Sequence, residues 1–186
     1  PIPRTRGRPV PAVDALFDLL FPDGPPEPAG PPPASPMPSD LREFFTRIGH
    51  NTVVVDNRFS FGIDPGLLEY SAGRRENLRQ VYKADVIAIR GGHEQSRPGV
   101  RKAEGDWDVV IDDLLLPGSD DNGNDLYPEA VGDPDGWAVV ADGCRSSVWA
   151  RHTVPATDYL YGLLSGSLRC PVFTLASWPR SRFDVA

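Results

Sequence analysis

The chain has 186 residues, of which 40% are hydrophobic and 24% charged, enough for one domain with a packed core. Its formal net charge is −7, and direct binding of phosphates needs clustered lysine and arginine, so nucleic acid is not expected as a direct partner. No apolar run reaches the roughly 18–20 residues that a membrane-spanning helix needs. No basic start precedes a secretory apolar segment either, and we expect a cytoplasmic protein with no membrane partner.

The first 38 residues contain 13 of the chain's 21 prolines. The stretch 22–38 favours extended polyproline conformations and predicts a linker or an arm that lies on the surface. Ahead of it, an apolar stripe at helical spacing predicts one short helix: Val13, Leu16, Phe17 and Leu20. Because so short a helix is marginal in water, it should dock on the body of the protein or on a partner, with the body favoured. We place an arm at 1–38 and an α+β domain at 39–186.

The compact body is predicted to begin with a helix that Ser39 caps and Gly49 ends. Short strands follow at 52–55 and 58–62. The β-branched run at 84–90 is typical of a buried strand.

The second half of the chain is predicted to be mostly β. Its elements are an apolar-rich run at 107–116, a tight turn at Asn122-Gly123, a second turn at 132–136, a strand at 137–141, a turn at Asp142-Gly143, a strand at 147–151 and a helix at 156–164. Tight turns join the strand pairs, and helices lie at both ends of the body. The sequence therefore predicts an α+β fold with a mainly antiparallel sheet flanked by helices.

The negative charge is concentrated in one segment. Between Asp106 and Asp142 there are eleven acidic residues and no lysine or arginine, whereas the rest of the chain has 15 acidic and 19 basic residues. On a rigid sheet and its turns, such carboxylates would focus a negative potential that steers a basic protein onto the surface. The predicted partner-binding residues, with two aromatic anchors, are Asp106, Trp107, Asp108, Asp112, Asp113, Asp120, Asp121, Asp125, Tyr127, Asp133 and Asp135.

A less specific interpretation of the same segment stays open. Turns rich in Asp, Asn and Gly are ordinary turn chemistry, and a run of charges is commonly a solvated face. A tryptophan is more often a core residue than an interface anchor, above all Trp137 at the start of a strand.

Metal binding is not predicted. The stretch Asp120-x-Asn122-x-Asn124 is similar to the start of a calcium loop. However, Asp125 stands at the sixth position, where glycine is required, and Val131 stands at the twelfth, where a bidentate glutamate belongs.

Catalytic chemistry is not predicted either. The histidines are far apart in sequence, and no nucleophile-elbow motif marks a serine. Cys144 and Cys170 form no CxxC pair, and Cys144 is expected to be an unreactive thiol at a turn or in the core. We therefore expect no catalytic residue and no cofactor.

Several stretches resemble the SUKH superfamily. Residues 114–127 (LLLPGSDDNGNDLY) are similar to the LLPxGxxxNGDxLxW pattern of bacterial members, and residues 132–140 (GDPDGWAVV) to the GDPDxWPVV-like turn and strand that follow it. Residues 147–166 resemble the family's closing hairpin and C-terminal helix, and residues 38–49 its first helix. The resemblance covers about residues 36–175 and implies a SUKH-like α+β fold.

The resemblance also implies a binding role. Many bacterial SUKH proteins are immunity proteins that neutralise polymorphic toxins, often nucleases, and fungal relatives are regulatory scaffold proteins. The expectation is an immunity protein that binds a cognate basic toxin, such as a nuclease, through the acidic surface. The alternative is a non-catalytic scaffold or regulatory subunit of a larger assembly.

Overall fold

The computed structural model describes residues 13–31, 36–49, 51–55, 59–62, 101–102, 113–115, 118–143, 148–173 and 183–185. Within these ranges the helices are Val13–Leu20 (α1), Ser39–Ile48 (α2) and Ala156–Ser165 (α3), with a 3₁₀ turn at Pro134–Gly136. The strands are Thr52–Val55 (β1), Phe59–Gly62 (β2), Arg101–Lys102 (β3), Gly118–Asp120 (β4), Asp125–Glu129 (β5), Ala138–Gly143 (β6), Val148–His152 (β7) and Phe183–Val185 (β8). None of the described helices is long and apolar enough to cross a membrane.

The strands form one sheet in the order β3-β7-β6-β5-β4-β2-β1-β8. Neighbours are antiparallel except β3 and β7, which run parallel. The predicted α+β class with a mainly antiparallel sheet is confirmed. The strand predicted at 84–90 lies outside the described residues, and the run predicted at 107–116 is described only at 113–115, where Leu114 forms an isolated bridge with Glu129.

One predicted turn is part of a strand instead. Asp142 and Gly143 continue β6, where they pair with Trp149 and Val148 of β7. The prediction of a turn at Asp142-Gly143 was wrong because turn-forming residue types also occur in strands when a neighbouring strand supplies the ladder hydrogen bonds.

The short N-terminal helix docks on the body, as favoured from the sequence. Its apolar stripe is buried in the same core as the inner faces of α2 and α3. On the rim of that contact, Arg47 of α2 forms an ion pair with Asp14 of α1 at 2.6 Å, and its guanidinium lies 4.9 Å from the ring centre of Phe17. The predicted boundary at residue 38 therefore separates two segments that share one core.

Residues 22–31 of the proline-rich stretch lie on the surface, against the C-terminal end of α2, whereas Met37 and Pro38 at the end of the stretch are buried. The N–H of Ala29 donates to the carbonyl of Ile48 at 3.3 Å, and Ala29 forms a parallel bridge with Gly49. Gly49 has φ = +65°, and a Cβ atom there would lie 2.5 Å from the backbone of Ala29. Both the backbone conformation and the close approach require glycine.

The shared core makes a testable prediction about α1. Leu16→Ala should lower the free energy of unfolding by about 2–5 kcal/mol, because a fully buried leucine leaves a cavity when it is truncated. Asp18→Ala, on the exposed side of the same helix, should change it by less than about 0.5 kcal/mol. Urea unfolding followed by circular dichroism measures both, and an unchanged midpoint for Leu16→Ala would contradict the docking of α1.

The close approach at Gly49 predicts that an alanine there lowers the free energy of unfolding more than an alanine at Gly123 does. Gly123 also has a positive φ, +81°, but a Cβ there would meet nothing within 4 Å. Gly123→Ala should therefore cost only the backbone penalty of about 1–2 kcal/mol, whereas Gly49→Ala should cost clearly more and release the arm. Equal losses of unfolding free energy in the two variants would show that the arm does not pack against Gly49.

Candidate functional site

The structure divides the acidic segment into buried and exposed residues. The buried carboxylates are Asp120, Asp125, Glu129 and Asp142. Asp113 is half-buried, and the exposed ones are Asp121, Asp133 and Asp135. Four predicted binding residues lie outside the described part of the chain: Asp106, Trp107, Asp108 and Asp112.

Asp120 organises the turn between β4 and β5. One of its carboxylate oxygens accepts the backbone N–H groups of Asn122 and Asn124, each at 2.9 Å, and the other accepts the side-chain amide of Asn124 at 2.8 Å. The turn predicted at Asn122-Gly123 is confirmed, with Gly123 at positive φ. Asp120 was predicted to contact a partner, but its oxygens are used within its own turn, which agrees with ordinary turn chemistry.

Asp125 and Tyr127 are buried in the sheet rather than offered to a partner. Every residue of β5 is buried, because this strand lies in the interior of the sheet. The Tyr127 hydroxyl donates to Asp125 at 2.9 Å, and the Tyr127 ring stacks on that of Trp149 with 6.5 Å between centroids. Tyr127 and Asp125 were predicted to bind a partner, and their burial corrects this prediction because neither side chain is exposed.

Part of the negative charge is also neutralised inside the molecule. Glu129 accepts a hydrogen bond from Nε of Arg151 at 2.7 Å, and the side chain of Glu129 is only 7% exposed. Asp121 lies just before β5 and Asp133 and Asp135 lie after it, so the exposed carboxylates flank a strand about 14 Å long. Within the described residues, the acidic segment does not form one continuous face.

Among the described residues of this segment, the most exposed stretch is the connection between β5 and β6, residues 131–136, which we call the acidic loop. Val131 is 55% exposed, the only large hydrophobic residue of the described part that is exposed. Asp133 and Asp135 are exposed beside it. The loop thus combines an apolar side chain with two carboxylates.

Hydrogen bonds hold the acidic loop in one conformation. The N–H of Asp135 donates to the Asp133 carboxylate at 3.2 Å, and the N–H of Gly136 donates to the Asp133 carbonyl at 2.9 Å. The indole of Trp137 donates to the carbonyl of Gly132 at 3.3 Å. Trp137 is itself buried, in agreement with its expected place in the core.

The acidic loop is also attached to the start of α2. Pro38 precedes that helix and has no side-chain acceptor, so the N–H of Ser39 donates instead to Asp135 Oδ1 at 2.6 Å. The prediction that Ser39 caps this helix was wrong, because Ser39 is its first helical residue and its own N–H needs the acceptor. The contact lowers the pKa of Asp135 below its ordinary value of 3.8, mainly through the hydrogen bond from the backbone of Ser39.

A second carboxylate serves α3 in the same way. Pro155 precedes α3, and Asp40 of α2 accepts both the backbone N–H of Thr157 at 2.9 Å and its hydroxyl at 2.7 Å. A negative charge at a helix N-terminus also interacts favourably with the helix dipole. Asp135 thereby connects the acidic loop to α2, and Asp40 connects α2 to α3.

Tyr159, His152 and Cys170 form a separate polar group near the core. The rings of His152 and Tyr159 lie 5.0 Å apart, and Cys170 is buried. Burial raises the pKa of Tyr159 well above its ordinary value, and the Cys170 thiol adds to the rise. A neutral buried phenol fits a packing role.

Comparison with known proteins found no matching family model, curated protein or solved structure. The assignment of the site therefore depends on its own geometry. Sequence reasoning missed Val131, the Asp135–Ser39 contact and the Asp40–Thr157 contact. The one available signal was the proline before each helix, which implies that a cap must come from another segment.

The Asp135–Ser39 contact predicts a pH effect with a defined sign. Because the folded-state pKa of Asp135 is lowered, its contribution to stability is present above the unfolded pKa and is lost as the pH falls through the folded pKa. Ser39→Pro removes the N–H donor at a helix position that tolerates proline, so the pKa of Asp135 should rise toward its ordinary value.

Ser39→Ala is the matched control, because it keeps the N–H and should retain most of the lowering. Carbon-13 NMR titration of the Asp135 carboxyl group measures both variants. The same midpoint in Ser39→Pro and Ser39→Ala would contradict the contact.

Proposed function

We propose that this protein is a non-catalytic immunity protein of the SUKH type, which binds and neutralises a cognate basic toxin through its acidic loop. The observation that supports the proposal most directly is an exposed valine beside two exposed carboxylates on a hydrogen-bonded turn. Such a protein acts by stoichiometric binding in the cytoplasm of the cell that it protects. No residue is assigned a catalytic role.

The chemistry of the acidic loop suits a basic protein surface. A toxin that cleaves nucleic acid carries lysine and arginine to bind phosphate, and two exposed carboxylates attract such a surface before contact. Val131 adds apolar area that loses its water when the partner docks. The loop is already fixed by Asp133 and Trp137, so little conformational entropy is lost on binding.

The resemblance noted from the sequence supports the same place on the molecule. The stretch 132–140, similar to the GDPDxWPVV-like segment of the SUKH superfamily, contains the acidic loop from Gly132 onward and the start of β6. The proposed contact is therefore smaller than the acidic face expected from the sequence. It excludes Asp120, Asp125 and Tyr127, which are buried.

The electrostatic part of the proposal predicts a change in association rate. In Asp133→Asn/Asp135→Asn, each asparagine keeps an oxygen acceptor for its hydrogen bond but loses the charge. The association rate constant with the toxin should fall roughly threefold to tenfold at low salt, and its dependence on ionic strength should weaken. Stopped-flow mixing at several salt concentrations measures both quantities.

Asp121→Asn is the control for that experiment. Asp121 is an exposed carboxylate at the opposite end of β5, and its loss should change the rate by less than about twofold. A larger effect at Asp121 than in the double variant would place the contact at the β4–β5 turn and contradict the acidic loop.

A growth assay tests the function itself. An immunity gene is expected directly beside a gene for a large secreted toxin, and co-expression of this protein with that toxin domain should restore growth. Val131→Glu, at an exposed position, should remove the rescue without unfolding the protein. Failure of the wild-type chain to rescue would contradict immunity against that toxin and favour the alternative of a scaffold subunit.

A further inference from the structure

The proline-rich arm carries a second exposed feature, apart from the acidic loop. From residue 22 onward, proline recurs at every third position: Pro22, Pro25, Pro28 and Pro31. All four are exposed. A spacing of three matches the three residues per turn of a polyproline helix and places such side chains along one edge.

Two glycines limit the part of the arm that can follow this geometry. Gly24 and Gly30 have φ values of +106° and +82°, which a polyproline helix does not contain. Between them lies the segment Pro25-Pro26-Glu27-Pro28, which we call the proline strip. Pro25 and Glu27 each precede a proline, and steric clash with the proline ring keeps such residues extended. Pro25 and Pro28 are then on the same edge, about 9 Å apart.

The proline strip is attached to the body by hydrogen bonds near its end. The side-chain amide of Asn51 donates to the carbonyl of Glu27 at 3.0 Å, and the N–H of Ala29 donates to Ile48 at 3.3 Å. Gly49 allows this close approach, since any Cβ there would overlap the backbone of Ala29. The strip is held extended while Pro25 and Pro28 remain exposed.

Along the chain, the charged residues next to the strip are all acidic, and Arg47 in the last turn of α2 is paired with Asp14 and Glu43. From residue 9 to residue 41 the chain has no lysine or arginine. Three carboxylates of this part of the sequence are exposed: Asp18, Asp23 and Glu27. A partner that docks here is therefore expected to have basic residues beside its contact surface.

We propose that the proline strip is a ligand for a second protein that carries an aromatic-lined, polyproline-binding groove with a basic rim. Grooves of the SH3 and WW kind bind exposed prolines at this spacing and gain affinity when the ligand is already extended. The strip lies at the C-terminal end of α2, whereas the acidic loop contacts its N-terminal end. Ten helical residues separate these ends by about 15 Å, so this surface is distinct from the proposed toxin contact.

The experiment uses the full chain labelled with nitrogen-15 and titrated with purified SH3 and WW domains that have basic residues beside the groove. Binding should perturb the NMR signals of residues 23–31. The double variant Pro25→Ala/Pro28→Ala should weaken it by at least about tenfold, or ~1.4 kcal/mol. Pro36→Ala, an exposed proline outside the strip, should change the affinity by less than about twofold.

A second variant tests whether the hydrogen bonds to the body matter. Asn51→Ala leaves every proline in place but removes the bond to Glu27, so binding should weaken a few-fold through the cost of ordering the strip. Absence of proline-dependent binding to all of the domains would overturn the proposal. So would perturbations of residues 23–31 that appear on concentrating the chain alone, because these would identify a second copy as the partner.

The same variants separate this proposal from the function proposed above. Pro25→Ala/Pro28→Ala should rescue growth against the toxin as well as the wild-type chain does. Loss of rescue in that variant would overturn the assignment of the strip to a different partner. Failure of the wild-type chain to rescue growth would contradict the immunity proposal but not the proposal for the proline strip.

Discussion

Two helices of this protein begin directly after a proline, and a proline side chain cannot accept the hydrogen bonds that the first turn of a helix leaves open. Carboxylates from other segments satisfy these groups: Asp135 at Ser39 and Asp40 at Thr157. The first contact joins residues 96 positions apart and the second joins residues 117 positions apart. The acidic loop, α2 and α3 are consequently fixed relative to one another, and the loop keeps one shape before any partner arrives.

Hydrogen bonds and ion pairs elsewhere in the sheet explain why the acidic residues that cluster in the sequence do not form one exposed cluster. The Asp120 carboxylate accepts hydrogen bonds within its own turn, Asp125 accepts a hydrogen bond from Tyr127, and Glu129 forms an ion pair with Arg151. Each of these carboxylates stabilises β5 or a neighbouring strand. The residues that remain exposed beyond β5 form the short acidic loop, which includes Val131 and is held by hydrogen bonds. A small, fixed contact of this kind is better suited to binding than a broad charged face whose residues are needed for folding.

Local signals in the sequence predicted much of the fold. The apolar stripe of α1, the strand at 52–55, the turn at Asn122-Gly123 and the last helix depend on residue spacing and turn chemistry, and all are present. Asp125 and Tyr127 were misassigned because sequence alone does not tell which strand lies in the interior of a sheet. The contacts of Ser39 and Asp40 depend on distant segments, and Val131 is exposed only because of where its loop lies.

Hydrogen–deuterium exchange of the full chain, alone and mixed with the proposed toxin, tests the central proposal most directly, namely that a preformed acidic loop makes the contact. The account predicts slower exchange at residues 131–136 in the complex, with the β4–β5 turn at 121–124 unchanged. Protection centred on 121–124, with exchange in the acidic loop unaffected by the toxin, would contradict it.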